Sequence, residues 1–406
     1  MTGTAAPVTL RGRVVTPDAV HDDGLVVVDG ERITWVGPAS AAPVGVTVPA
    51  AAPVPPIILP GLVDVHCHGG GGASFPDATD ASQARVAVTE HLAHGTTSLV
   101  ASLVTADRTA LLTSTALLAD LADAGQLAGI HLEGPFLSRA RCGAQNPAHM
   151  VPGDAALVRE LAAAARGHLV SMTLAPEAPG VLGADGALVA LAQAGALPSI
   201  GHTDASAELT DTALDTARSA LAAPGSRSAR PTVTHLFNGM RPVHHRDPGA
   251  VAACLGAAAR GRAVVELIAD GVHLAPATVR AVFDMVGPAG IALVTDAMAA
   301  AGMPDGDYVL GPVSVQVRDG VARLTDGGAI AGGTAHLLDT VRWSVSIGVP
   351  LIDAVRAAST TPASVLGRPD IGALEAGRRA DLVVVDADLR PLRVMLAGSW
   401  TDRVSR

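Results

Sequence analysis

The chain has 406 residues, 49% of them hydrophobic, and a formal net charge of −10. This length can bury a large core, with one large domain and a smaller one, and the acidic balance argues against nucleic acid or an acidic membrane surface as a partner. Residues 1–10 carry no basic start followed by an apolar stretch, and no uncharged apolar run reaches the roughly 18 residues of a membrane span. We therefore predict no signal peptide and no transmembrane segment. The three cysteines, an odd number in a long chain, predict no disulfide framework and favour a reducing cytoplasm.

The chain contains no lysine. Lysine forms Schiff bases, contacts phosphates in P-loops and, when carboxylated, bridges two metal ions, so these three kinds of chemistry are excluded.

Short β-rich runs open the chain at 8–15, 24–29 and 32–36, and similar runs close it at 381–386 and 394–400. They predict a small, discontinuous β-sandwich domain built from residues 1–55 and 369–406. The Pro-rich segment 50–60 is predicted to be a connector. A strand-rich insertion near 308–325, with an Asp-Gly turn at Asp319-Gly320, is assigned either to the barrel described next or to this small domain.

Apolar runs recur at intervals of roughly 30 residues from position 61 onward, with Ala/Leu-rich helical stretches between them, as repeated βα units require. There are eight such runs, at 62–68, 97–102, 129–133, 169–176, 197–202, 232–237, 264–270 and 291–296. Eight units favour a closed α/β barrel of the (β/α)₈ TIM type over residues 56–368. A doubly wound open sheet is the alternative.

The first of these runs ends with two histidines, His66 and His68. Side chains two positions apart in a strand point to the same side, so the two imidazoles form a natural clip for a divalent metal ion. The competing interpretation is a solvated histidine pair, because Gly69–Gly70 and two more glycines follow directly.

Other runs carry further ionisable residues at or near their ends, namely Glu133, His202, His235 and Asp296. The carboxyl ends of barrel strands meet on one face, which is where barrel active sites lie. Charged groups there are costly to bury unless they are paired or bind metal. The pattern therefore predicts a metal site built from strands 1, 3, 5, 6 and 8.

This order of ligands resembles the amidohydrolase superfamily. Several segments are more specifically similar to the N-acetylglucosamine-6-phosphate deacetylases. They are the segments at 131–136 (HLEGPF), 201–203 (GHT), 234–240 (THLFNGM), 270–273 (DGVH), 295–298 (TDAM), 305–308 (DGDY) and 330–334 (IAGGT).

The resemblance implies hydrolysis of N-acetylglucosamine 6-phosphate to glucosamine 6-phosphate and acetate, in amino-sugar catabolism and cell-wall recycling. It implies one or two divalent ions, with Glu133 as the bridge in place of a carboxylated lysine. His66 and His68 would bind one ion, and His202 and His235 the other. Zn²⁺ is expected, with Fe²⁺ as the alternative, because imidazole and carboxylate suit both. Metal-activated water would be the nucleophile and Asp296 the general base and then acid.

By the same resemblance, Arg246 and His273 hold the substrate phosphate, with backbone N–H groups of Asn238 and Gly239. The arginine comes from the neighbouring subunit in this family, which implies a homodimer. The competing interpretation of Arg246 is a surface ion pair with Asp247.

Two positions depart from the family pattern. Gln145 stands where relatives often carry a histidine that contacts the sugar, and Gly239 replaces the usual alanine. We assign Gln145 to substrate binding, but the change leaves the sugar specificity open. The alternatives are a deacetylase for N-acetylgalactosamine 6-phosphate, an N-acyl-amino-acid hydrolase, or a non-catalytic barrel scaffold.

Overall fold

The structure, a computed structural model, describes residues 7–401. Residues 1–6 and 402–406, which belong to the predicted small domain and to the segment searched for a signal peptide, lie outside the described residues. The described strands, in chain order, are β1 Val8–Val15, β2 Val20–Asp29, β3 Arg32–Pro38, β4 Ile57–Pro60, β5 Leu62–Cys67, β6 Gly69–Gly70, β7 Ala73–Ser74, β8 Thr96–Leu103, β9 Gly129–Glu133, β10 Leu169–Leu174, β11 Leu197–Ile200, β12 Thr232–Val233, β13 Val264–Leu267, β14 Ile291–Leu293, β15 Gly306–Leu310, β16 Val313–Arg318, β17 Val321–Leu324, β18 Leu382–Val385, β19 Pro391–Leu396 and β20 Ser399–Trp400.

Helices alternate with the barrel strands from β8 to β14, and several begin at an acidic or hydroxyl side chain that accepts the first free backbone N–H groups. Asp80, Asp107, Asp154 and Ser206 play this part for the first, second, third and fifth helices. The α-helices are α1 Ala81–Ala93, α2 Arg108–Asp123, α3 Ala155–Ala164, α4 Ala187–Gln193, α5 Ala207–Leu221, α6 Gly249–Ala259, α7 Pro276–Val286, α8 Leu337–Ser346, α9 Leu351–Ala357 and α10 Thr360–Val365.

Eight parallel strands form the central sheet, in the order β14-β13-β12-β11-β10-β9-β8-β5. The two ends of this sheet meet through a bridge between Cys67 and Ala297, and the backbone N–H of Asp296 donates to the carbonyl of His66 at 2.9 Å. The predicted (β/α)₈ barrel is therefore confirmed. Its strands read as apolar runs without alternation because nearly all their residues are buried on both faces.

A seven-stranded sheet combines the two ends of the described chain, in the order β20-β19-β18-β4-β1-β2-β3. Its central strand β4 runs parallel to β1 and antiparallel to β18. Ile57–Pro60 is thus a strand of this sheet, although the sequence predicted a connector there. Its two pairing partners, β1 and β18, come from opposite ends of the chain, so the local sequence does not reveal the pairing. The limits of the predicted domains stay a prediction.

The strand-rich insertion forms a separate three-stranded antiparallel sheet, β15-β16-β17, which we call the cover sheet. Within residues 7–401 it shares no strand pairing with the seven-stranded sheet. Its apolar face, including Leu310 and Val315, packs on Met298 and Ala299, which follow the last barrel strand. The insertion therefore covers the carboxyl end of the barrel.

Among residues 7–401, no helix combines the length and the apolar character needed to cross a membrane.

Candidate active site

The barrel brings together the six residues that the sequence predicted for metal binding and proton transfer. His66 and Glu133 lie within β5 and β9, while the others follow their strands by one to three positions. All six side chains are buried at the carboxyl end of the barrel. They are His66, His68, Glu133, His202, His235 and Asp296.

Glu133 lies between two pairs of histidines. Its Oε1 atom is 2.8 Å from Nε2 of His202 and 2.8 Å from Nε2 of His235. Its Oε2 atom is 3.1 Å from Nε2 of His68 and 3.9 Å from Nε2 of His66. Each carboxylate oxygen therefore faces one pair, which is the arrangement of a carboxylate that bridges two ions.

Asp296 lies beside the pair formed by His66 and His68. Its Oδ1 atom lies 3.3 Å from Nε2 of His66 and 3.2 Å from Nε2 of His68, and these two nitrogens are 3.1 Å apart. Burial opposes charge on His66, but Asp296, Glu133 and Glu266 outweigh it and raise the pKa of His66 well above its usual range. Burial also opposes ionisation of Asp296, but His66 and His68 hold the pKa of Asp296 below its usual value. Asp296 is therefore a carboxylate at neutral pH, able to accept a proton.

The other ring nitrogens of three histidines are held by acceptors. In His66 the Nδ1–H group donates to Oε2 of Glu266 at 3.0 Å. In His68 it donates to the carbonyl of Ser102 at 3.1 Å. In His202 it donates to the carbonyl of Arg141 at 2.8 Å. Without a metal ion the raised pKa of His66 favours its imidazolium. In neutral rings, which metal binding requires, these Nδ1–H groups would leave the Nε2 lone pairs directed at Glu133 and Asp296. Lone pairs that converge in this way repel one another unless they share a cation, so the residues fit divalent metal ions.

The charge of the site supports the same conclusion. Glu133, Glu266 and Asp296 are buried carboxylates, and their ion-pair partners within residues 7–401 are histidines, with no arginine among them. Buried negative charge is costly unless it is compensated, and divalent cations provide that compensation.

Five of the six residues border a cavity of about 250 Å³, and His66 is not part of its lining. A larger groove of about 970 Å³ lies between α1 and the cover sheet, but none of the six lines it, so we place the site in the smaller cavity. The cover sheet and the segment that follows it contribute one wall through Leu310, Ala329 and Ile330. The whole lining is His68, Glu133, Gly143, Ala144, Gln145, His202, His235, Asn238, Gly239, His273, Asp296, Leu310, Ala329, Ile330 and Gly332.

His273, Asn238 and Gly239, predicted to bind substrate, line this cavity. His273 donates through Nδ1 to Oδ2 of Asp270 at 2.7 Å. Burial opposes charge on His273, but this contact raises the pKa of His273 overall. The backbone N–H of Asn238 donates to the carbonyl of His235 at 2.9 Å, so it is not free for a phosphate as the resemblance implied.

Gln145 lines the cavity, but both ends of its amide are engaged by the protein. Its Nε2 donates to Oε2 of Glu133 at 2.6 Å, and its Oε1 accepts from the backbone N–H of Thr105 at 2.8 Å. In this arrangement the side chain orients the bridging carboxylate.

Arg246 is not part of the cavity lining. It lies on an exposed segment after β12, where its Nη1 is 2.8 Å from Nε2 of His245. Asp247 pairs with Arg241, at 2.8 Å, so the ion pair between Arg246 and Asp247 that the sequence left open is not formed.

Two buried carboxylates of the site were not found from the sequence. Asp64 accepts from the hydroxyl of Thr295 at 2.6 Å and from the backbone N–H of His66 at 3.2 Å, so it joins the first and last barrel strands. Glu266 contacts His66. The available signal was an acidic residue in the interior of a mostly apolar run, Asp64 within 62–68 and Glu266 within 264–270.

Paired histidines and a bridging carboxylate at the carboxyl end of a closed parallel barrel define the class of metal-dependent barrel hydrolases. Residues 57–404 match the amidohydrolase family. The chain belongs to this family and, within it, to the N-acetylglucosamine-6-phosphate deacetylase family. This membership implies a divalent metal ion.

Three relatives illustrate the similarity. The N-acetylglucosamine-6-phosphate deacetylase of Vibrio furnissii is 35% identical over 351 residues, covering 83% of this chain and 81% of the relative. The N-acetylgalactosamine-6-phosphate deacetylase of Escherichia coli O157:H7 is 34% identical over 349 residues, covering 84% and 87%. The solved structure of a mutant N-acetyl-D-glucosamine-6-phosphate deacetylase from Mycobacterium smegmatis, in complex with N-acetyl-D-glucosamine-6-phosphate, is 40% identical. It covers 98% of this chain and 99% of that chain, with a TM-score of 0.88.

Proposed function

We propose that this chain hydrolyses the acetamide bond of N-acetylglucosamine 6-phosphate and releases acetate and glucosamine 6-phosphate. The observation that carries the proposal is the bridging position of Glu133 between two histidine pairs, with Asp296 beside one pair at the cavity wall. The names of the relatives supply the substrate. A role in amino-sugar catabolism and cell-wall recycling is part of the proposal.

We propose two divalent ions, Zn²⁺ in preference to Fe²⁺, since imidazole nitrogens and a carboxylate suit both. His66, His68 and Oε2 of Glu133 would hold one, and His202, His235 and Oε1 of Glu133 the other. Bound there, such ions lower the pKa of a water molecule and polarise an amide carbonyl.

Asp296 moves the proton in this reaction. An aspartate is ordinarily ionised at neutral pH, and Asp296 lines the cavity with its Oδ1 atom 3.2 Å from Nε2 of His68, so its carboxylate is placed to accept a proton from the attacking water. The oxygen of that water forms the new bond to the acetyl carbon. Asp296 then returns the proton to the sugar nitrogen as the carbon–nitrogen bond breaks, which allows the amine to leave.

The substrate phosphate needs positive charge, and His273 supplies it within the subunit. Its raised pKa favours the imidazolium, and Nε2 has no partner among residues 7–401. We propose that Arg246 of a second subunit supplies the other donor, since it is exposed and does not line the cavity of its own chain. An arginine fork matches phosphate geometry, and this arrangement requires a homodimer.

We propose that the protein acts in the cytoplasm. The three cysteines are unpaired, and Cys142 lies partly exposed on the loop that borders the active-site cavity. A free, accessible thiol is typical of a reducing compartment.

The second candidate substrate is N-acetylgalactosamine 6-phosphate. A relative of that name, the N-acetylgalactosamine-6-phosphate deacetylase of Escherichia coli O157:H7, is 34% identical over 349 residues, and Gln145 stands where a histidine often contacts the sugar in the family.

The test is acetate release by protein loaded with Zn²⁺ or Fe²⁺. The substrates are N-acetylglucosamine 6-phosphate, its galactose epimer and unphosphorylated N-acetylglucosamine. We expect fast turnover of the first and a much higher KM without the phosphate. Little turnover of all three by metal-loaded protein would contradict the proposed substrate class, and preference for the epimer would favour the second candidate.

A further inference from the structure

Glu266 is an acidic residue on β13, the seventh strand of the barrel, and it is buried, with 2% of its surface exposed. The other residues of this strand, Val264, Val265 and Leu267, are apolar and buried. A carboxylate in such surroundings is retained only where its oxygens are hydrogen-bonded or compensated by charge.

One oxygen of Glu266 serves both halves of the metal site. Its Oε2 atom accepts from the Nδ1–H group of His66 at 3.0 Å and from the backbone N–H of His235 at 3.1 Å. His66 belongs to the pair facing Oε2 of Glu133, and His235 to the pair facing Oε1. Glu266 therefore reaches the first pair through an imidazole ring and the second pair through the backbone alone.

The partner of His66 differs from those of the other oriented histidines. His68 and His202 donate through Nδ1 to neutral backbone carbonyls, of Ser102 and Arg141. His66 alone among these three donates to a carboxylate. A carboxylate fixes the same tautomer as a carbonyl does, but its negative charge also makes Nε2 a stronger donor to a metal ion.

We propose that Glu266 is a positioning residue that sets the metal affinity of the His66/His68 half of the site, while the His202/His235 half depends on it little. This inference rests on the proposed binding of two divalent ions. It predicts an asymmetric effect, because the charge of Glu266 acts on a ligand ring in one half and on a peptide group in the other.

The substitution Glu266→Gln separates charge from shape. Glutamine has nearly the same volume, and its carbonyl oxygen can still accept from Nδ1–H of His66 and from the backbone of His235. The ring orientation is therefore kept and the negative charge is lost. We expect the affinity of the His66/His68 half for Zn²⁺ or Co²⁺ to fall about 10–100-fold, as for other partners of metal-binding histidines.

A matched control is Ser199→Ala. Ser199 is a buried polar residue on the barrel strand β11, and its Oγ lies 2.6 Å from Oγ1 of Thr234, without contact to any of the ligand side chains. Loss of this hydroxyl removes a buried hydrogen bond at comparable depth, so it reports what disturbance of the barrel interior alone does to metal binding.

The experiment is calorimetric titration of Zn²⁺ into chelator-treated full-length protein, repeated with Co²⁺ while its visible absorption is recorded. Thermal unfolding of each metal-free variant is measured in parallel. We expect two equivalents for the unchanged protein and for Ser199→Ala. For Glu266→Gln we expect one equivalent at unchanged affinity and one weakened, with unfolding of the metal-free protein near that of the control.

Three results would overturn the inference. Binding of both equivalents by Glu266→Gln with unchanged affinity would show that the charge is irrelevant. Equal weakening of both equivalents, together with a lowered unfolding temperature of metal-free protein, would show a purely structural role. Failure of the unchanged protein to bind any metal would refute the proposed metal site as well, and this outcome is distinct from the other two.

Discussion

Three residues of the active site hold backbone angles that side chains with a β-carbon rarely adopt. The φ angle is +46° at His202, +26° at His235 and +46° at Asp296. The left-handed region costs roughly 1–2 kcal/mol for such residues. It occurs here at the points where the chain leaves a barrel strand, so the strain accompanies the turns that direct these side chains into the cavity.

The strained angle at Asp296 makes asparagine the informative substitution, because Asn tolerates this conformation and removes only the charge. We expect Asp296→Asn to retain metal, since the histidines and Glu133 remain, and to lose turnover by about 10²–10⁴-fold. Metal analysis and acetate release measure the two effects. The exposed Asp326→Asn is the control, and a fully active Asp296→Asn protein would eliminate the proton-transfer role.

Gln145 allows a test between two roles, contact with the sugar and orientation of Glu133. Because its amide donates to Oε2 of Glu133, we expect Gln145→Met to weaken metal binding about tenfold, the value of a hydrogen bond to a charged group. The KM at saturating metal should change less. Metal titration and substrate kinetics distinguish the roles, and a raised KM with unchanged metal affinity would favour contact with the sugar.

At the scale of elements, a cluster of ionisable residues joins the end of α1 to the start of α8. Nε2 of His336 lies 2.9 Å from Oε1 of Glu90, its Nδ1 lies 3.3 Å from Oδ2 of Asp339, and its ring stacks on His94 with centroids 3.6 Å apart. Burial opposes charge on His336, but Asp339 and Glu90 outweigh it and raise the pKa of His336. Burial likewise opposes ionisation of Asp339, but His336 lowers the pKa of Asp339 to about 2.

These shifts define a pH window for the stability of the contact. The raised pKa of His336 stabilises the fold fully below about 6.5, the unfolded value, and this contribution is lost as pH rises through the folded value. The lowered pKa of Asp339 contributes above its unfolded value of 3.8 and is lost as pH falls toward 2. The contact is therefore strongest between about pH 4 and 6.5.

The substitution His336→Gln tests this window. We expect it to lower the free energy of unfolding by about 1.5–3 kcal/mol at pH 6, the range of a hydrogen bond to a charged group, and by less at pH 9. Urea unfolding at pH 6, 7.5 and 9 measures the difference. His168→Gln, which removes a partly exposed contact with Asp123, is the control, and a difference that stays constant across this pH range would contradict the prediction.

At the scale of the whole molecule, the site is assembled from strand ends that are distant in sequence, and its proposed phosphate site extends to a second subunit. Arg246 lies on an exposed segment with Val243, outside the cavity of its own chain. A closed dimer with twofold symmetry would place the same segment of each subunit against the other. Activity in mixed dimers can test this arrangement directly.

The test combines two impaired variants. Alone, Arg246→Ala should raise KM for the phosphorylated sugar more than for N-acetylglucosamine, and Asp296→Asn should be inactive. If Arg246 acts across the interface, each mixed dimer contains one complete site out of two. Random exchange of equal amounts of the two variants makes about half of the dimers mixed, so about a quarter of full activity should return at low substrate.

The control replaces Asp296→Asn with a chain that carries both substitutions, which leaves no complete site in any dimer. Mass spectrometry verifies that mixed dimers have formed. Mixed dimers without recovered activity would show that Arg246 does not serve the neighbouring site.

The barrel, the positions of its strands and the six residues proposed for metal binding and proton transfer could be predicted from the sequence. Parallel barrel strands are buried on both faces and therefore appear as apolar runs, and their carboxyl ends share one face. A histidine or carboxylate at the end of such a run is visible without knowledge of its neighbours. The residues found in this way are His66, His68, Glu133, His202, His235 and Asp296.

Only the tertiary structure decided which groups support these residues. His66 and Glu266 are 200 positions apart, and Asp64 and Thr295 are 231 apart, yet each pair is in hydrogen-bonding contact. The tertiary structure also decided that β4 belongs to the seven-stranded sheet and that the cover sheet lies over the barrel opening. Local patterns record burial and strand periodicity, whereas a hydrogen-bond partner depends on closure of the barrel, which brings its first strand beside its last.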